Sequence, residues 1–242
     1  MNTNYTETDQ SGNVLFLILI AVALFAALSF AVTSSSRNTA GDISEETLGM
    51  QSSQLLAYAS GIRTAMQRLI AKGCTIEQVN FFHSLSPVTY SNPSSPPDFS
   101  CHVFDPRGAS IHWFIPRDEF YDMNDLASDT QGGHAFFTND THIEGIGTVE
   151  PDLYLVIRSI DRNLCRHINE RLAVNLVGGS IPVFSGAGNF FGDPYNGTLK
   201  TSLDAGYSVL GDDVAEAPYN GKFSGCIVDV DKAVFYTVLI EQ

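Results

Sequence analysis

Positive charge is scarce in this chain. It has 13 Lys and Arg against 27 Asp and Glu, a formal net charge of -14, and no Lys or Arg before Arg37. Nucleic-acid binding needs a basic footprint on the fold, so the balance argues against a DNA or RNA partner. No CxxC pair, zinc-finger spacing, HExxH, Walker lysine or complete GxSxG elbow occurs, so compact metal, phosphate and nucleophile motifs are missing. Tryptophan occurs once. No catalytic set emerges; the chain reads as a non-enzyme with no cofactor and no metal.

What is present is one long apolar run. Val14 to Val32 holds a single polar residue, Ser29. As a helix rising about 1.5 Å per residue it matches a hydrocarbon core of about 30 Å. Three readings compete. A cleaved signal peptide would end at Ala31, but the run is long for one and no positive charge precedes it. A plain anchor holding an extracytoplasmic ligand-binding or enzymatic domain is the second. The core of an assembly is the third.

About 200 residues follow, enough for one domain with a real core. Residues 33–42 are small and polar, either a linker or a weak point in one long helix, and an Asp42-Ile-Ser-Glu45 capping box predicts a helix start near residue 43. Leu48, Leu55, Ala59, Ile62, Met66 and Leu69 form a helical stripe that Gly73 ends. The Ser- and Pro-rich segment 74–101 reads as a surface loop. Strand–turn–strand is expected in 101–115, turning at Pro106–Gly108, and a second hairpin in 134–147, turning near Asn139-Asp140. "DLYLVIRSI" reads as a strand, and Ile160, Leu164, Ile168 and Leu172 as a short helix. The final "CIVDVDKAVFYTVLIEQ" reads as a hairpin whose last strand is central. Val234, Tyr236, Val238 and Ile240 would share one face. The fold class expected is α+β with an antiparallel sheet.

Four cysteines behind a membrane or export segment suggest two disulfides in an oxidising compartment, the alternative being four buried free thiols. Of the three possible pairings, Cys74–Cys101 and Cys165–Cys226 each bracket a local unit. Cys165 beside Arg166 and His167 is the one thiol with adjacent cations, and a structural bond is the simpler account. His102 and His112, and His134 and His142, fall on the expected hairpins without a ligand set. Asp229, Asp231 and Gly211-Asp-Asp213 lack the calcium-loop pattern of an EF-hand.

A short polar leader ending in Gly12, an apolar helix beginning at once, and then an amphipathic helix resemble type IV pilins and pseudopilins. "GNVLFLILIAVALFAALS" with "VTSSSR" is similar to uncharacterised pilin-like proteins of alphaproteobacterial type. The resemblance covers about 30 residues. It implies a leader of residues 1–12 cut by prepilin peptidase between Gly12 and Asn13, and a membrane helix at 13–33. A linker and spine helix at 34–73 and a disulfide-bonded head at 74–242 would follow. It further implies a structural subunit of a filament, built from copies of itself or other pilin-like subunits. The chain would be held in the bacterial inner membrane with the head in the periplasm, and would become extracellular on assembly. Val14, Leu17, Ala21, Leu24, Ala27 and Leu28 would then form the assembly helix. The chain departs from the family at Asn13, where Phe or Met is usual, and at Leu17, where Glu is usual.

Overall fold

The computed structural model describes residues 11–129, 133–185, 190, 192–204 and 207–242, without side chains at 11–13 and 30–44. The chain divides into two compact units, Met1–Thr47 and Leu48–Gln242. A helix, α1, runs from Ser11 to Ala71. Of the two readings of 33–42 the structure has the one long helix, and the expected helix start near residue 43 is corrected. Residues 33–42 are helical in backbone, since Ser, Thr, Asn and Ala are tolerated in a helix and no proline interrupts the segment.

In the second unit, α1 buries the stripe read from its periodicity. Leu55, Ala59, Ile62, Ala65, Met66 and Leu69 are buried, and Leu48, Leu56 and Tyr58 pack beside them. Each such side chain, fully buried, contributes about 1.5–3 kcal/mol if large. The helix closes in a Schellman arrangement: Cys74 N–H donates to Leu69 O (3.1 Å) and Gly73 N–H to Ile70 O (2.9 Å). Gly73 takes φ +102°, a conformation open to glycine.

The stripe faces a four-stranded antiparallel sheet of order β1-β3-β6-β5, made of β1 (Ala135–Thr138), β3 (Leu153–Arg158), β5 (Ser224–Asp229) and β6 (Lys232–Ile240). The last strand is internal, as expected of a strand apolar on both faces. Leu155, Ile157, Phe235 and Leu239 join the α1 stripe in one core. Tyr154, Val156, Tyr236 and Val238 point into a second. One detail differs: a bulge opposite Leu153/Tyr154 turns Ile240 onto the α1 side.

The short helix α3 (Arg162–Arg171) begins at Asp161, whose carboxylate accepts from Asn163 N–H and Leu164 N–H, and it packs on β5. A one-and-a-half-turn helix, α2 (Met123–Ser128), is capped in the same way by Asp122. Two expected hairpins are corrected. β2 (Thr141–Ile143) leaves β1 and pairs in parallel with β4 (Ser208–Leu210). Residues 101–115 turn at 106–108 but form no ladder; Val103 N–H donates instead to Asn80 O (3.0 Å), and Ala109 N–H reaches back to His102 O (2.9 Å).

Candidate functional site

The feature that most needs a partner is the first stretch of α1. All described positions from 14 to 29 are exposed, with Phe25 at 74 % and Leu15 at 68 %. Val14, Leu17, Ala21, Leu24 and Leu28 recur at steps of three and four and so share one face. Ala27 falls beside that face, in line with Ala23. Apolar side chains surround the helix on all sides, so no polar face is left for water. Among the described residues, no helix is long and apolar enough to cross a membrane. The described side chains of the run stop at 29, short of the ~20 residues a span takes. Gly12 and Asn13 lie in the helical backbone of α1, and residues 1–10 of the expected leader lie outside the described residues.

In the second unit, Cys74 and Cys101 form a disulfide. It closes the loop over a local scaffold: Asn92 Nδ2 donates to Glu77 O and Val79 O (both 2.7 Å), and Tyr195 OH to Ile76 O (2.8 Å). The expected Cys165–Cys226 bond is corrected: both thiols are free and buried. The apposition that the bond was to provide comes from an amide instead. Asn169 Nδ2 donates to Cys226 O and Cys226 N–H to Asn169 Oδ1, both at 2.7 Å. Burial, followed by the neighbouring Cys165, raises the Cys226 thiol well above its ordinary value. That is the behaviour of an inert buried thiol.

The histidines paired on the two expected hairpins, His102 with His112 and His134 with His142, do not form a ligand set among the described residues. His102 is buried beside Asn80, while His112 joins His83, Leu85, Trp113, Phe114 and Ile115 around a cavity of about 330 Å³. There the His83 ring stacks on Trp113 (5.0 Å), and Leu85 N–H donates to His83 Nδ1 (3.1 Å). Trp113 Nε1 is buried without a hydrogen-bond partner. His134 precedes β1. His142, on β2, lies 3.7 Å from Glu144 and 4.0 Å from Asp152. Burial lowers His142, with Glu144 opposing, and raises Asp152 to about 6. No group of three metal-ligating side chains occurs among the described residues.

The acidic candidates are absorbed structurally. Asp229 ends β5, nearly buried, and Asp231 lies in the β5–β6 turn. Asp213 accepts from Ser185 Oγ and from Glu216 N–H (2.9 Å). Two features had no sequence signal. Glu216 is fully buried and accepts from Gly211 N–H (3.1 Å) and from Ser185 N–H. Asp140, also buried, meets Lys200 from a distant segment. Neither lies in a recognisable spacing, because the partners are far apart in the chain.

Comparisons with protein-family models, with curated proteins and with solved structures returned no match.

Proposed function

We propose that the chain is a structural subunit that assembles, through residues 14–32, with copies of itself or related pilin-like subunits into a type IV pilus-like or pseudopilus filament. One observation carries the reading: α1 exposes every described apolar side chain of 14–29, yet buries a single stripe over 55–69. Exposed apolar surface costs about 25 cal/mol per Å² in water, so the first stretch demands lipid or protein around it. A helix held in the inner membrane before assembly, and in the filament core after it, has both in turn. Cutting by prepilin peptidase behind Gly12 would place the apolar stretch at the mature N-terminus. The α+β head with its disulfide suits a periplasmic or extracellular setting.

Between helices in lipid the hydrophobic effect adds little, so close packing must hold the copies together. Ala21, Ala23, Ala26 and Ala27 provide the small surfaces. Ala27→Trp is expected to leave the head folded and stop filament formation, read by electron microscopy of the surface fraction. Normal filaments from that variant would sink the packing claim.

A second reading draws on the cavity beside Trp113, whose unpartnered Nε1 suits a ligand-binding domain that is anchored or secreted. Replacing residues 14–32 by an unrelated membrane helix separates the two. The first reading predicts loss of function on that exchange, the second predicts its retention.

A further inference from the structure

Two Asn-Gly pairs occur in the chain, Asn196-Gly197 and Asn220-Gly221, and neither reading of the function uses them. An asparagine followed by glycine is reactive. The next backbone nitrogen can close a five-membered ring on the side-chain carbon, and glycine has no Cβ to hinder the approach. In an unfolded chain the two pairs are chemically alike. The fold makes them different.

Both asparagines are exposed. At the second pair the nucleophile is engaged, because Gly221 N–H donates to Glu144 O (2.7 Å). The Asn220 side chain is also packed close: a Cβ added at Gly145 would fall 2.5 Å from Asn220 Oδ1. At the first pair Gly197 N–H makes no hydrogen bond among the described residues. Thr198 N–H instead donates to Asn196 Oδ1 (3.0 Å), forming an Asx turn. The ring which that bond closes contains both Asn196 Cγ and the Gly197 nitrogen. The donor sits on the oxygen that becomes negative when the nitrogen attacks, the placement an oxyanion hole uses.

We propose that Asn196 is a site of spontaneous deamidation in the folded protein, and that the fold protects Asn220. Hydroxide from solvent takes the Gly197 amide proton, and the nitrogen attacks Asn196 Cγ. The C–N bond forms and the charge moves to Oδ1, held by Thr198 N–H. The side-chain nitrogen takes a proton from water and leaves as ammonia, giving a succinimide. Water then adds to one of the two ring carbonyls. Opening at the side-chain carbonyl gives aspartate; opening at the main-chain carbonyl gives isoaspartate. One amide and one water give one carboxylic acid and one ammonia, so solvent is the only co-reactant.

The isoaspartate product has one more carbon in the main chain between residues 196 and 197. Space there is scarce: a Cβ on Gly197 would fall 2.3 Å from Asn92 Oδ1 and 2.6 Å from Glu77 O. Those groups anchor the disulfide-closed loop, since Asn92 Nδ2 donates to Glu77 O and Val79 O. Conversion therefore loosens that anchor as the protein ages.

The test is peptide mapping of the full chain, fresh and after long incubation in mildly alkaline buffer, both folded and in urea. Trypsin separates the sites: Asn196 falls in peptide 172–200 and Asn220 in peptide 201–222. In the folded protein the mass gain of amide-to-acid conversion is expected in 172–200 at least about tenfold faster than in 201–222. In urea the two rates should be comparable. Equal rates in the folded protein, or a faster gain in 201–222, would overturn the proposal. Asn196→Gln lengthens the side chain and removes the five-membered ring, so 172–200 should keep its mass. A gain that persists there would belong to Asn175 or Asn189 and would overturn the proposal as well. The aged wild type should melt below the fresh protein, and Asn196→Gln should melt alike before and after incubation. An aged wild type that melts like the fresh protein would remove the loosening assigned to the loop.

Discussion

The two stretches of α1 belong to one helix and obey opposite rules. Residues 55–69 place apolar side chains on one stripe, and the sheet buries it: Leu55, Ile62, Met66 and Leu69 are fully inaccessible. Residues 14–28 are apolar on every side, and all of the large ones are exposed. A helix with one greasy stripe completes a domain; a helix greasy all round has no single domain to complete. The contrast teaches where the chain's own interactions end and those with its surroundings begin.

The sharpest way to break this contrast is to put the same charge in both stretches. Ile62→Asp would bury a carboxylate with no partner, at a cost comparable to the whole stability of a domain, about 5–15 kcal/mol. The expected outcome is loss of the cooperative melting transition by circular dichroism. Leu17→Asp should keep the wild-type melting temperature of the head while abolishing assembly. If Leu17→Asp melted as low as Ile62→Asp, the division between the stretches would be wrong.

How much of this was legible follows from which elements are periodic. The α1 stripe, α3 and the terminal hairpin each carry a strong period, and each is present. The parallel β2–β4 pair joins residues 67 apart, as Thr141 and Ser208 show, and no local pattern announces such a partner. Residues 101–115 have strand-like composition, yet their aromatics pack instead: Phe104 meets both Trp113 and Phe137. Tertiary burial overrode the β-propensity there. The cysteine reading found the α3–β5 neighbourhood and missed that Asn169, with no bond between the thiols, holds it. The exposed stretch of α1 was plain in the sequence, because nineteen residues with one polar member admit few readings. The Asp140–Lys200 pair was invisible for the opposite reason, since single residues far apart carry no pattern.

A smaller effect is expected where the buried stretch ends. Cys74 is the third residue after α1, and its bond to Cys101 closes a segment with a sequence separation of 27. Changing both cysteines to Ala should cost about 3–4 kcal/mol on the chain-entropy model. Reversible urea unfolding of the head would measure it. Asn169→Ala removes two buried hydrogen bonds to the Cys226 backbone, and should cost about 1–3 kcal/mol. Neither change touches residues 14–29, so assembly of whatever folds should persist. Filament loss at full head stability would shift the assembly surface into the head.

The finest test uses one substitution at two glycines of the same helix region. A Cβ added at Gly61 or at Gly73 would meet nothing within 4 Å, so neither change is confounded by a clash. Gly61 lies inside α1, where alanine is the better helix former by about 1 kcal/mol. Gly73 follows the last turn at φ +102°, where an L side chain is strained, and alanine there should cost at least about 1 kcal/mol. Gly61→Ala is therefore expected to raise the urea midpoint of the head and Gly73→Ala to lower it, with the slope unchanged in both. A fall in both would mean that the buried stretch is not held as a regular helix at residue 61. A rise in both would mean that the helix does not stop at Gly73, and that the left-handed turn is not what aims the chain toward Cys74 and the disulfide-closed loop.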